Sequence, residues 1–354
     1  MSRFFSEKHS TLVPYVPGEQ PRERKYIKLN TNESPFPPSP AAVAAAAKAA
    51  ERLQLYPDPA MTELTAKMAE RYAISPNQII FGNGSDEILN FAFMAFCDEK
   101  HPAVFPDITY GFYRVFANLH GVPFEEIPLD GDLCVRVSDY CGINKTIFIA
   151  NPNAPTGKAL TRLEVEAIVK SNPDNVVVID EAYVDFGGES ALPLIHKYDN
   201  LLVTGTFSKS RSMAGARLGF GFASPALIAD LHTLRNSTNP YNVNSMTLAA
   251  GIATLEDDAY TKKNCQTVCE NRAYLTEALR TLGFEVTDSL TNFVFARHPL
   301  VSGEAIYRAL RERGILVRHF TAPRIADYNR ITIGTREEME ALVLAAREIL
   351  EDVL

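Results

Sequence analysis

Four stretches of the chain carry residues able to do chemistry, and each follows directly on a short apolar run. Leu201–Thr204 leads into Gly205-Thr206-Phe207-Ser208-Lys209, with Arg217 eight residues past the lysine. Val176–Ile179 leads into Asp180-Glu181-Ala182-Tyr183, and Ile79–Phe81 into Gly82-Asn83-Gly84-Ser85-Asp86. Thr146–Ala150 leads into Asn151-Pro152-Asn153-Ala154-Pro155-Thr156-Gly157. Together they offer an amine beside hydroxyls and an arginine, a carboxylate, a glycine turn and an amide-rich turn. Taken singly they have plainer readings. Gly82 and Gly84 lack the third glycine of a dinucleotide fingerprint. Asp180 suits a helix cap, Lys209 a solvated loop, and Asn153–Gly157 an ordinary turn.

One ligand asks for all four at once. Pyridoxal phosphate takes a lysine amine at its aldehyde and a carboxylate against its ring nitrogen. Its phosphate takes backbone N–H groups at a helix start, flanked by hydroxyls and a cation. Its phenolic oxygen takes a hydrogen-bond donor. Lys209 and Asp180 answer the first two demands. Gly84, Ser85 and Asp86, with Thr206, Ser208 and Arg217, answer the third, and Asn153 or Tyr183 the last.

The elements that must position these residues are visible as pattern. From about Gln78 to Ala223, short apolar runs (Ala103–Phe105 and Gly219–Phe222 among them) alternate with mixed segments such as helical Glu164–Val169. Continuous apolar runs suit strands buried on both faces. Their alternation with helices predicts an α/β fold with a mainly parallel sheet, whose carboxyl-terminal edge is where ligands bind. Upstream, prolines crowd the first forty residues and predict an extended arm, one that packs on something through Tyr15, Tyr26, Ile27 and Leu29. An Ala-rich helix runs from Pro40 to about Leu55, and Thr62–Tyr72 forms another with Leu64, Met68 and Tyr72 on one face. Downstream, a long helical region spans Asn244–Leu282. Strand-like Phe284–Val286, Phe293–Ala296, Ile315–Val317 and Arg330–Ile333 and a helix at Gly303–Arg313 follow. The last helix aligns Met339, Leu342, Val343, Ala346, Ile349, Leu350 and Val353. The expected organisation is an arm (1–40), a large cofactor domain (41–243) and a small α+β domain (244–354) with which the arm packs.

Composition narrows the class. With 354 residues, 46% hydrophobic and 22% charged, the chain is globular. Thirty-five Lys and Arg against 43 Asp and Glu give a net charge of −8, which argues against a nucleic-acid or anionic membrane surface. The apolar run Ala41–Ala47 falls far short of the ~20 residues of a membrane span, and Met1–Ser10 lacks a signal-peptide core. Five dispersed cysteines argue against a disulfide framework or a zinc site. The expectation is a soluble, cytoplasmic protein without a metal.

Ser208-Lys209 followed by Arg217, Asp180-Glu181-Ala182-Tyr183 and Pro155-Thr156-Gly157 resemble the fold type I aminotransferases, in the same order and nearly end to end. Within that group, Pro14-Tyr15, Leu29-Asn30-Thr31-Asn32-Glu33, Leu55-Tyr56-Pro57, Thr109-Tyr110-Gly111 and Arg330-Ile331-Thr332-Ile333-Gly334-Thr335-Arg336 resemble the histidinol-phosphate aminotransferases. The resemblance implies amino transfer between L-histidinol phosphate and 2-oxoglutarate, giving imidazole-acetol phosphate and L-glutamate, with pyridoxal phosphate as cofactor. It implies that Lys209 carries the cofactor and moves the proton, that Asp180 keeps the ring nitrogen protonated, and that Tyr110 stacks on the ring. Arg330 and Arg318 would grip the substrate anions, with Tyr15 against the imidazole and Glu33 near its N–H. Tyr56 would reach the cofactor phosphate of a neighbouring subunit, making the homodimer part of the site. One departure stands out: the family's asparagine before Pro-Thr-Gly, which binds the phenolic oxygen, is Ala154 here. Either Asn153 takes over or Tyr183 carries that contact alone. An aromatic amino acid aminotransferase and a threonine-phosphate decarboxylase-like enzyme of the same fold are the alternatives.

Overall fold

The computed structural model describes residues 2–21 and 23–353. The arm carries one turn of 3-10 helix at Glu7–His9 and leads to β1 (Ile27–Lys28). A seven-stranded sheet follows, built from β2 (Ile79–Asn83), β3 (Ala103–Pro106), β4 (Phe124–Ile127), β5 (Thr146–Ala150), β6 (Val177–Asp180), β7 (Leu201–Thr206) and β8 (Leu218–Ala223). Their order is β2-β8-β7-β6-β5-β3-β4. β3 to β7 run parallel, and β8 runs antiparallel to both its neighbours. β4 was not expected. It lies at the sheet edge and is only half-buried, so Phe124-Glu125-Glu126-Ile127 leaves no apolar run to read.

The apolar runs of the strands face both ways, as buried parallel strands must. Ile147, Ile149, Val177, Ile179, Leu201 and Val203 enter one core with Leu64 and Met68. Phe148, Val178 and Leu202 enter the opposite core with Phe91 and Phe93. Each such side chain contributes ~1.5–3 kcal/mol by leaving water. The covering helices are α1 (Pro40–Ala50), α2 (Thr62–Tyr72), α3 (Ser85–Phe96), α4 (Phe112–His120), α5 (Arg162–Ser171) and α6 (Pro225–Thr238). Their starts are written locally. Ser39 Oγ accepts from the Ala42 N–H ahead of α1, with Pro40 at the first position, and Thr161 and Glu164 form a capping box on α5. α1 stops at Ala50, short of the expected Leu55. The stretch beyond it carries exposed Leu53 and Leu55 with no core beneath them.

The single helical region expected over Asn244–Leu282 is two helices, α7 (Ser245–Glu256) and α8 (Asp258–Thr281), broken at Asp257, whose ψ of 51° is not helical. α7 packs on α1 and α2, and α8 on α10. The remaining elements are β9 (Glu285–Val286), β10 (Phe293–Arg297), α9 (Gly303–Glu312), β11 (Ile315–Leu316), β12 (Arg318–His319), β13 (Asn329–Thr332) and α10 (Arg336–Val353). Four of these strands form an antiparallel sheet in the order β12-β13-β10-β9. α10 buries the expected face except Val353, which lies at its end beyond the core and is exposed. The arm is tied to this part of the chain. β1 pairs in parallel with β11, and Leu29, fully buried, exchanges backbone hydrogen bonds with Leu316 and Thr332. Among the described residues no helix is long and apolar enough to cross a membrane, no acid, histidine and cysteine cluster could hold a metal, and the five cysteines are free.

Candidate active site

The carboxyl ends of β2, β6 and β7 open onto one cavity of about 380 Å³. Asp180, the last residue of β6, stands at its floor. Its Oδ2 accepts from the Tyr113 hydroxyl (3.1 Å) and its Oδ1 from Thr204 Oγ1 (3.2 Å). Burial pushes the carboxyl up to about 6, the Asp86 charge adding to the effect while the Tyr113 and Thr204 hydrogen bonds oppose it. A carboxylate so placed is short of a positive partner, and a protonated ring nitrogen supplies one.

Lys209 lies three residues past the end of β7. Its Nζ donates to the Thr31 carbonyl (3.4 Å) and sits 5.8 Å from the centre of the Tyr183 ring. Tyr110, whose hydroxyl donates to Asp86 Oδ1 (2.6 Å), lines the same cavity. Burial, then the Asp86 charge, drives its phenol well above the usual range, so it remains a neutral donor and an apolar wall.

The anion end is built by backbone. Gly84, at φ 78° in a region that L side chains rarely adopt, turns the chain from β2 into α3 and adds no side-chain cap. The first N–H groups of α3, at Ser85 and Asp86, are therefore left without the cap that most helices carry, at the positive end of the helix dipole. Arg217 closes the side. A Cβ at position 84 would lie 2.4 Å from its Nη2, which pairs with Asp86 Oδ2 at 3.0 Å. Thr206 and Ser208 hydroxyls, 2.9 Å apart, complete the cradle. The chemistry of these donors fits a dianionic phosphate beside an amine and a carboxylate.

Glu33 also lines the cavity. Burial raises its carboxyl, but hydrogen bonds from Lys28 and Thr31 and the charges of Lys28 and Lys209 outweigh that and hold it below the usual range. Thus ten expected residues meet in one space: Glu33, Ser85, Asp86 and Tyr110, then Asp180, Tyr183, Thr206, Ser208, Lys209 and Arg217.

Others stand apart. Asn153 is not directed into the cavity. Its amide donates to the Ile108 carbonyl (2.9 Å) and Thr156 Oγ1 (3.1 Å) and accepts from Thr109 (2.7 Å), which exhausts its donors on the segment after β3 and on the turn, and Ala154 lines the cavity instead. Tyr15 stacks on Phe112 (centroids 4.4 Å) and approaches Tyr110 at 6.5 Å. Arg330 is half-buried beside Tyr183. Its Nη2 donates to the Asn30 carbonyl (3.0 Å), and its Nε has no partner. β12 pairs with β13 so that Arg318 lies directly opposite Arg330. Arg318 opens on a second cavity of about 310 Å³ under the arm, with one long contact (3.4 Å) to the Val16 carbonyl. Like charges facing across a strand pair repel. Tyr56 is 81% exposed, stacks on Tyr241 (4.5 Å) and is not among the residues lining the cavity.

Sequence reasoning missed Tyr113 and Thr204, which hold Asp180, and Gln20 and Thr31, which line the cavity from the arm. Thr204 carried a signal: it lies directly opposite Asp180 if β6 and β7 pair in register. Tyr113 carried only its place one turn after Tyr110.

Residues 24–345 match the family model for aminotransferase class I and II. The chain is 49% identical over 350 residues to histidinol-phosphate aminotransferase 1 of Bradyrhizobium diazoefficiens, spanning 99% of this chain and 100% of that one. It is 50% identical over 354 residues to histidinol-phosphate aminotransferase 2 of Dechloromonas aromatica, spanning 99% of each. In fold it is similar to the crystal structure of histidinol-phosphate aminotransferase from Sinorhizobium meliloti in complex with pyridoxal-5'-phosphate. The TM-score is 0.91 over 100% of this chain and 99% of that one, at 24% identity. The chain belongs to the aminotransferase class I and II family.

Proposed function

We propose that this enzyme transfers an amino group between L-histidinol phosphate and 2-oxoglutarate, giving imidazole-acetol phosphate and L-glutamate, with pyridoxal phosphate as its cofactor. The observation that carries the substrate choice is the Arg318–Arg330 cross-strand pair, two guanidiniums that meet no carboxylate among the described residues. A planar guanidinium binds a phosphate or a carboxylate at two points, so one pair serves the phosphorylated substrate and the dicarboxylate in turn.

Bound in the cavity, the cofactor supplies an aldehyde for amines and an electron-poor ring that draws electrons from the substrate carbon. The chain does the rest. Ser85 and Asp86 N–H groups, the Thr206 and Ser208 hydroxyls and Arg217 bind the phosphate and fix the ring's position. Asp180 holds a proton at the ring nitrogen, a charge-assisted hydrogen bond worth roughly 1.5–3 kcal/mol. Tyr110, which lines the cavity, would pack on the ring and exclude water. Lys209 would hold the cofactor through its aldehyde and, when free, would serve as the base and acid for the proton at the substrate carbon. Arg330 and Arg318 orient the substrate by its anionic end, with Tyr15 and Glu33 toward the imidazole.

The active unit in this reading is a homodimer. Leu55 and Tyr56, both more than half exposed, line a groove of about 710 Å³ between α1 and α7, and a second copy covering it would bring Tyr56 to the neighbouring phosphate. The division into arm (1–40), large domain (41–243) and small domain (244–354) goes with it, with α7, the first helix of the last part, packed into the large domain's core against α1 and α2. Five free cysteines suit a reducing cytoplasm.

The test compares L-histidinol phosphate with histidinol and with phenylalanine on purified, cofactor-loaded protein. Two guanidiniums without a carboxylate partner penalise a substrate that lacks the anion, so the phosphate should be preferred at least ~10²-fold in kcat/KM. Equal rates, or a preference for phenylalanine, would favour the aromatic aminotransferase, and release of carbon dioxide the decarboxylase.

A further inference from the structure

The loss of the amide at Ala154, with Asn153 committed elsewhere, leaves Tyr183 as the one cavity side chain of the pair expected at the cofactor's phenolic oxygen. A hydroxyl can accept as readily as donate, so something must decide which way its hydrogen points. We propose that Asn32 is a positioning residue that aims the Tyr183 hydroxyl hydrogen into the cavity, where it donates to that oxygen; this rests on the cofactor reading above.

The direction follows from a chain of hydrogen bonds that begins at an unambiguous donor. The Asn32 backbone N–H donates to Thr332 Oγ1 (3.0 Å). The single hydrogen of Thr332 then goes to Asn32 Oδ1 (3.1 Å). With Oδ1 held toward Thr332, Nδ2 is the atom facing Tyr183, at 2.9 Å. An amide nitrogen only donates, so the Tyr183 oxygen accepts and its own hydrogen must find another partner. Among its neighbours, Arg330 has no acceptor, Lys209 is turned to the Thr31 carbonyl, and Phe293 meets the ring edge-on at 5.2 Å. The cavity is the direction left. Asn32 itself is held firmly. It is 1% exposed, its carbonyl accepts from Asn292 Nδ2 (2.9 Å), and it adopts φ 57°, a left-handed conformation that asparagine tolerates better than most residues.

The experiment loads the protein with pyridoxal phosphate and follows the pH midpoint of the visible absorbance change, alongside cofactor Kd and a thermal melt. Tyr183→Phe removes the donor and should raise the midpoint by about one to two pH units. Asn32→Gly keeps the left-handed backbone, removes the amide, and should raise it by about half a unit or more, with no further rise when Tyr183→Phe is already present. A midpoint unmoved by Asn32→Gly, or moved equally in both backgrounds, overturns the proposal, since a purely structural role would lower the melt and leave the midpoint alone. If Asn32→Gly does not fold, Thr332→Val decides. It frees the amide to turn its oxygen toward Tyr183 and should raise the midpoint nearly as far as Tyr183→Phe, while no change overturns the proposal. Failure of the wild type to develop a visible band would overturn the cofactor reading and this proposal together. A normal band with an unmoved midpoint overturns this one alone.

Discussion

Asp180→Asn, studied first in the cofactor-free protein, should make the fold more stable at neutral pH while ruining the enzyme. Below about pH 3 the Asp180 carboxyl carries its proton in both folded and unfolded chains. As the pH rises, the unfolded chain ionises near the ordinary 3.8, while the buried carboxyl keeps its proton to about 6. Across that window the native state binds more protons than the unfolded state, so wild-type stability falls with rising pH and levels off above about 7. A shift of about two units, at ~1.4 kcal/mol per unit, amounts to about 3 kcal/mol. Asparagine has no such charge, and its amide can still pair with the Tyr113 and Thr204 hydroxyls, which are free to reverse. With an unfolding entropy of ~2.1 cal/mol/K per residue over 354 residues, the variant should melt about 4 °C above wild type at pH 8 and nearly level with it at pH 4. Glu181, pushed up to about 8 chiefly by burial and in small part by the Asp180 charge, adds its own pH dependence to both proteins, and most of it cancels in the difference. Calorimetry or urea unfolding at the two pH values reads the effect directly. A variant whose advantage does not grow between pH 4 and pH 8 would refute the reasoning, because the carboxylate would then be ionised in the empty fold. In the loaded enzyme the same change should slow turnover by orders of magnitude, since an amide cannot keep the ring nitrogen protonated.

Three further outcomes follow from the geometry. Lys209→Ala should abolish turnover while the phosphate and ring contacts still retain cofactor, read by comparing activity with equilibrium dialysis; wild-type turnover would sink the assignment of the site. Arg330→Ala should raise KM for both glutamate and histidinol phosphate, whereas Arg318→Ala should hurt the phosphorylated substrate more, and a reversed pattern in steady-state kinetics would reassign the two arginines. Gly219→Ala would bring a Cβ to 2.2 Å from the Ser85 nitrogen and 2.3 Å from the Gly84 carbonyl carbon. Neither backbone atom can give way without moving the start of α3, so cofactor Kd should rise at least ~10-fold and the melt should fall. An unchanged Kd would show that the α3 N-terminus does not hold the phosphate.

The sequence by itself determined what its local patterns encode. Continuous apolar runs marked β2, β3 and β5 to β8, because a strand buried on both faces carries apolar side chains at every position. The residues that follow those runs marked the candidate site, because β2, β6 and β7 deliver Ser85, Asp180 and Lys209 to one sheet edge. Tertiary structure decided whatever depends on partners distant in the chain. Burial of both faces is the same for parallel and antiparallel strands, so nothing in Gly219–Phe222 announced that β8 runs against its neighbours. Asn153 and Asn32 are both asparagines in turn-forming sequence. Only the packing of Ile108 and Thr109 against one, and of Thr332 and Asn292 against the other, turned Asn153 away from the cavity and Asn32 toward a tyrosine 151 residues away. The facing of Arg318 and Arg330 is likewise a matter of strand register. A spacing of twelve residues does not specify which side chains share a face, whereas an antiparallel ladder does so by its hydrogen bonds.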